Sequence, residues 1–150
     1  MSCEDLIDQN IPLPSLPIVT VAAAVLIDRA GKIFIAQRPE GKAMAGLWEF
    51  PGGKLEAGER PDQALIRELK EELSIETASA CLAPLTFVSH AYDKMHLIMF
   101  VYVCRTWKGF LKPAEHQKIA WVEPRTLYDY PMPAADLPII PHLIDLLYPR

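Results

Sequence analysis

A chain of 150 residues, 51% of them hydrophobic, is long enough to bury one core and too short for two comfortable ones. Its net charge of −4 and pI near 5.5 exclude a broad nucleic-acid-binding surface, which would be basic, and leave small polyphosphates open because a metal can supply positive charge. Cys3, Cys81 and Cys104 are odd in number and lack C-x-x-C spacing, so they suggest neither a zinc site nor a disulfide framework, and a reducing cytosol suits them.

The polar, acidic start MSCEDLIDQN has no basic segment leading into an apolar one and does not read as a signal peptide. Residues 11–17, IPLPSLP, carry three prolines and predict an extended stretch, so residues 1–17 read as a tether and 18–150 as a single domain. The apolar run Ile18 to Ile27 is broken by Thr20 and too short to span a bilayer, so a soluble, cytoplasmic protein with no membrane partner is expected. The segments VTVAAAVLID, RAGK and IFIAQR predict a β-hairpin from Ile18 to Arg38 that turns at Asp28 to Lys32. Arg38 closes its second strand, where a guanidinium fork suits a phosphate or a base edge as well as plain solvent. Residues 39–46 predict a loop. Leu47 to Phe50 predicts a strand that delivers the chain through Pro51 to a glycine turn, and Phe50 there suits either the core or a stacked base.

The stretch GGKLEAGERPDQALIRELKEELSI, residues 52–75, organises the rest. Pro61 suits the first helical position and Asp62 places a carboxylate in the first turn. Glu68, Glu71 and Glu72 then share one face at i, i+3 and i+4, beside an apolar stripe of Leu65, Ile66, Leu69 and Leu73. Such like-charge pairs each destabilise an isolated helix by roughly 0.2 to 0.5 kcal/mol. Bound Mg²⁺ or Mn²⁺ would reverse that sign, since hard oxygen ligands at this spacing are what these ions take. The competing reading is an ordinary solvated face balanced by Arg67 and Lys70. Gly52, Gly53 and Gly58 in the preceding turn, with Glu59 at its junction to the helix, favour the metal reading, because glycines let backbone approach a ligand closely.

Downstream, APLTFVSHA (83–91) and MHLIMFVYVCRT (95–106) predict two strands joined at Tyr92 to Lys94. Residues 107–118 predict a polar loop, Ile119 to Val122 a short strand, Glu123 to Tyr130 a helical turn and Pro131 to Asp136 a loop. Leu137 to Tyr148 predicts an amphipathic helix starting near Pro138.

Residues 53–75 resemble the Nudix box, G-x5-E-x7-R-E-U-x-E-E-x-G-U with U aliphatic, through Gly53, Glu59, Arg67, Glu68, Leu69, Glu71, Glu72 and Ile75, which are eight of its nine defined positions. The departure is Ser74, where the pattern has the glycine that ends the helix in a left-handed conformation. LWEFPGGKLEAGE, FIAQR, the spacing of Glu115 and Trp121, and PMPAADLPII extend the resemblance to MutT-type Nudix hydrolases over residues 18–148. It implies an α+β fold with a mixed β-sheet sandwiched between helices. It also implies a Mg²⁺-dependent enzyme, with Mn²⁺ as a substitute, that hydrolyses nucleoside triphosphates to monophosphate and pyrophosphate and removes oxidised guanine nucleotides such as 8-oxo-dGTP. By the same resemblance the Gly52 carbonyl, Glu68, Glu71, Glu72 and Glu115 hold the metal. Arg67 orients Glu68 or Glu59, Lys54 faces phosphate, and Glu68, ahead of Glu115, takes the proton from water.

The MutT pattern reads the base with an asparagine where this chain has Asp136, and an ionised aspartate cannot donate a hydrogen bond. Either Asp136 is protonated in an apolar pocket, or the base sits differently, or the preferred base is not 8-oxoguanine, with CTP, another pyrimidine triphosphate or a dinucleoside polyphosphate as the alternative substrates. A nucleotide-sensing module without catalysis is a further alternative, against which the full set Glu59, Glu68, Glu71 and Glu72 argues.

Overall fold

The computed structural model describes residues 15–115 and 117–149. The tether expected over residues 1–17 therefore lies almost wholly outside the described residues.

Strand β1 (Ile18–Leu26) is the spine. It runs parallel to β6 (His96–Cys104) in an unbroken register from Ile18 opposite His96 to Leu26 opposite Cys104. On its other edge it pairs antiparallel with β4 (Gly52–Lys54), and β5 (Leu82–Ala91) pairs antiparallel with β6, giving a mixed sheet in the order β4-β1-β6-β5. A second, antiparallel sheet has the order β3-β2-β7, from Trp48–Glu49, Ile33–Gln37 and Ile119–Val122.

The turn predicted at Asp28 to Lys32 forms: the Asp28 carboxylate accepts the Ala30 and Lys32 amides at 2.9 and 2.8 Å, and Gly31 takes φ +78°. The hairpin predicted around it does not. Its strands meet only at an Ile27–Ile33 bridge and then enter different sheets. The reason is burial. β2 is buried along Ile33 to Ala36 and β1 from Ala22 onwards, so each needs neighbours on both edges. β6 and β4 flank one strand, β7 and β3 the other. The glycine turn expected at Gly52 and Gly53 is likewise a short strand, because the edge of β1 offers it a ladder at Ala22 and Ala23.

Helix α1 (Pro61–Leu73) covers one face of the mixed sheet and helix α2 (Ile139–Leu147) the other. Alternation along β1 divides its residues between them. Ala22, Ala24 and Leu26 meet Leu65, Leu69 and Leu73 of α1, while Ala23 and Val25 join Ile139, Ile140 and Leu143 of α2. The alanines let α1 lie close to the sheet, which brings its acidic end beside β4. The layering is the expected α/β/α sandwich.

At its start α1 has Pro61 at the first position, and Gln63 Oε1 accepts the Arg60 amide at 3.1 Å. At its end Ser74 adopts the left-handed conformation (φ 58°, ψ 30°) that the missing glycine would have taken. Its N–H reaches the Leu69 and Lys70 carbonyls, and the next residue, Ile75, is fully buried beneath the helix. These contacts hold a serine in a geometry that L-residues avoid. Ser74→Gly should therefore raise stability by about 0.5 to 1 kcal/mol in urea denaturation; an unchanged or lower midpoint would show that Ser74 is unstrained.

Candidate active site

Arg67, on α1, is the hub of the acidic face. Its Nε and Nη2 donate to the two oxygens of Glu59 at 2.9 and 2.8 Å, its Nη1 donates to Glu68 Oε1 at 2.9 Å, and Nη2 also reaches the Lys54 carbonyl at 3.2 Å. Glu71 Oε2 lies 3.6 Å from Nη1. Of the two carboxylates expected as its bidentate partner, Glu59 takes the fork. Glu59 also accepts the Glu56 amide at 2.8 Å. The Arg67 hydrogen bonds, then that amide, hold its carboxyl down to about 2, so Glu59 stays ionised and fixes the arginine.

Glu68 lies against bare backbone. A Cβ on Gly52 would run into the Ala22 carbonyl, so that position must be glycine for β4 to pair with β1, while a Cβ on Gly53 would displace the Glu68 carboxylate from its present place. Glu72 is pushed up to about 8, first by burial and then by the charge of Glu68, with which it shares a hydrogen bond, while the Gly52 amide works the other way. Glu71 projects further out, its side chain 62% exposed. Glu115 stands across the cleft on the 107–118 loop, where its Oε1 meets Lys42 Nζ at 2.6 Å.

Among the described residues no three acidic, histidine or cysteine side chains converge into a ready metal cage. Glu68 is turned to Arg67 and Glu115 to Lys42. The donor set nonetheless fits a hard divalent cation. Glu72 is buried against the charge of Glu68, a crowding that a bound cation would relieve. In the same cleft the buried Gln117 Oε1 has no hydrogen-bond partner among the described residues.

Beside this acidic region opens a pocket of about 260 Å³ whose lining includes Val21, Ala23, Leu97 and Met99 and also Arg38, Phe50, Gly52, Lys54 and Asp136. Phe50 belongs to the core and also forms part of this wall. Lys54 is exposed at the rim. Arg38 Nη1 donates to Glu49 at 3.2 and 2.9 Å and its Nε to the Ala43 carbonyl at 2.7 Å, so it is clamped to the pocket wall. Asp136 is 7% exposed. Burial, and next the charge of Glu49, push its carboxyl up to about 7, partly opposed by the Phe50 amide. The Ala135 amide donates to Tyr92 Oη at 3.1 Å, which ties this loop to the turn after β5.

Glu49, Lys42, Gln117 and Tyr92 were not among the expected site residues. Glu49 could have been suspected, since it stands between Trp48 and Phe50 immediately before the glycines. The other three belong to distant loops and carry no local signal.

A mixed sheet between helices, with a glycine strand pressed against an acidic, arginine-centred helix beside a largely apolar pocket, defines a class of phosphoric anhydride hydrolase. Residues 22–142 match the NUDIX domain family. The chain is 40% identical over 128 residues to the CTP pyrophosphohydrolase of Escherichia coli K12, covering 83% of this chain and 90% of that one. It is 44% identical over 91 residues to the 8-oxo-dGTP diphosphatase of Proteus vulgaris, covering 61% and 80%. The E. coli ORF135 protein, solved in solution, superposes with a TM-score of 0.78 at 35% identity, covering 93% and 98%. The chain belongs to the Nudix family, whose hydrolases work with a divalent metal, usually Mg²⁺. Among the described residues no helix is long and apolar enough to cross a membrane.

Burial of Asp136 has a consequence for stability. Its folded-state value of about 7 lies above its ordinary value of 3.8, so between those pH values the folded protein keeps a proton that the unfolded chain releases. Stability therefore falls as pH rises from about 4 to about 7 and levels off above that. Asp136→Asn removes this loss. Its stability relative to wild type should grow with pH across that window by as much as about 4 kcal/mol in urea denaturation at matched pH, whereas a constant offset would mean that Asp136 is ionised throughout.

Proposed function

We propose that this protein is a Mg²⁺-dependent nucleoside triphosphate pyrophosphohydrolase that releases nucleoside monophosphate and pyrophosphate, with 8-oxo-dGTP as its substrate. In this reading it clears oxidised guanine from the free nucleotide pool of the cytosol and so prevents mutation. The observation that carries the choice of base is Asp136, buried at the apolar pocket and held near 7. A protonated carboxyl has one acceptor and one donor, the same pair that an asparagine amide offers. It can accept N7–H of 8-oxoguanine and donate to O6. Ordinary guanine presents acceptors at both places, so one contact is lost and a repulsion takes its place.

A triphosphate resists attack by water because its own oxygens repel the nucleophile, so the site must neutralise charge and aim a deprotonated water in line. In this reading the Gly52 carbonyl, Glu68, Glu71, Glu72 and Glu115 would hold Mg²⁺ or Mn²⁺, which supplies charge neutralisation and acidifies water. Glu68 is the base that takes the water's proton. Its neighbour Arg67, already anchored by Glu59, keeps that carboxylate aimed while its charge changes. Lys54 faces the phosphate oxygens at the rim, Arg38 positions Glu49 and the pocket mouth, and Phe50 packs beside the base.

A second reading has a specific observation behind it. Cytosine offers a donor at N4 next to its N3 acceptor, which the same protonated Asp136 can match, and the E. coli CTP pyrophosphohydrolase is among the similar proteins. Comparing kcat/KM for 8-oxo-dGTP, dGTP, CTP and a dinucleoside tetraphosphate, followed by pyrophosphate release, separates the two. Preference for 8-oxo-dGTP over dGTP and CTP is expected; a preference for CTP would move the assignment to the second reading, and no turnover at all would favour a sensor. The advantage of wild type over Asp136→Asn on the preferred substrate should change as pH rises through about 7, where the donor is lost. Glu68→Gln should lower kcat by about three orders of magnitude or more while the protein stays folded, since it also removes a like charge from the helix. Near-normal kcat in that variant would remove Glu68 from the chemistry.

A further inference from the structure

We propose that Lys42 is a phosphate-binding residue that Glu115 occupies until a nucleotide arrives; this deepens the triphosphate reading above and rests on it. Lys42 lies on the loop after β2 and Glu115 on the loop before β7, 73 residues apart in the chain, and their 2.6 Å ion pair crosses the acidic cleft. That cleft, about 260 Å³, is also lined by Arg38, Glu49, Glu71 and Glu72. Four of these six side chains are carboxylates. A triphosphate entering here meets net negative charge and needs free donors.

Arg38 has few to spare, because three of its hydrogen bonds go to Glu49 and the Ala43 carbonyl. Lys42 is differently placed. Its one side-chain partner among the described residues is Glu115, and both side chains are about half exposed, 54% and 46%. An ion pair so exposed contributes little to stability, so exchange of its partner is easy. A phosphate group offers more charge and more acceptor oxygens than a carboxylate, and an ammonium on a flexible stem can follow it. Turning Glu115 inward, as its proposed metal-ligand role requires, leaves the Lys42 ammonium unpaired at the cleft edge. Lys42 is therefore a positioning residue whose availability depends on Glu115. A merely structural pair tying two loops together would instead act on every ligand alike.

The test is equilibrium binding, measured by calorimetry, of a non-hydrolysable α,β-methylene triphosphate analogue and of the corresponding monophosphate, with Mg²⁺ and in EDTA. Lys42→Ala should weaken the triphosphate analogue about five- to tenfold and the monophosphate by less than about twofold, with Lys42→Arg restoring most of the loss. In EDTA, Glu115→Gln should tighten the triphosphate analogue, and adding Lys42→Ala to it should abolish that gain. Unchanged triphosphate affinity in Lys42→Ala, or equal losses for both ligands, would overturn the proposal while leaving the function standing. A wild-type protein that binds neither ligand would overturn both.

Discussion

One arginine makes the acidic helix end tenable. Arg67 holds Glu59 with two hydrogen bonds and Glu68 with a third, and lies within reach of Glu71. Without that guanidinium, three carboxylates on a turn and a half of helix, with Glu59 beside them, would repel one another and the strand next to them. With it, Glu59 is locked in its ionised form, Arg67 is fixed in place, and Glu68 is presented to the cleft at a set angle. The two glycines of β4 are the backbone counterpart of this arrangement, since a side chain at Gly53 would occupy the space of the Glu68 carboxylate.

Charge decreases along the cleft. At the helix end the carboxylates gather round Arg67, which keeps Glu59 ionised. Further in, Glu72 and Asp136 are progressively desolvated and drift towards their protonated forms, with Glu49 contributing to both shifts. One acidic surface thus supplies two kinds of chemistry. Exposed, paired carboxylates suit a hard cation and a polyphosphate, while a buried, protonated one suits the donor and acceptor edge of a base. The fold places both within one cleft because β3 and β4 follow each other directly across Phe50 and Pro51.

Much of this was legible from residues close together in the chain. The spacing from Gly53 to Glu72 predicted the helix, its start at Pro61 and its acidic face, because those depend on local periodicity and capping. β7 and α2 were equally plain. Where neighbours far apart in sequence decide the outcome, reading along the chain fell short. β1 and β2 look like a hairpin, yet each is buried and pairs elsewhere, and glycines with weak strand preference became β4 because β1 had an edge to offer. Ser74 stands where the pattern has glycine, yet its contacts and the buried Ile75 behind it hold the same left-handed turn. Arg67 could have chosen Glu59 or Glu68, and only the fold decides. Lys42 and Gln117 gave no signal because their meaning comes from a loop on the opposite side of the cleft.

The account stands on a divalent cation joining Glu68 and Glu72 beside Arg67, and replacing Lys42 as the partner of Glu115, when a polyphosphate is bound. Crystals grown with Mn²⁺ and a non-hydrolysable triphosphate analogue test this directly through the anomalous signal of the metal. The prediction is ion density bounded by Glu68, Glu72 and the Gly52 carbonyl, with the phosphates on its open side. Phosphate density without an ion, and with Glu115 still on Lys42, would contradict it.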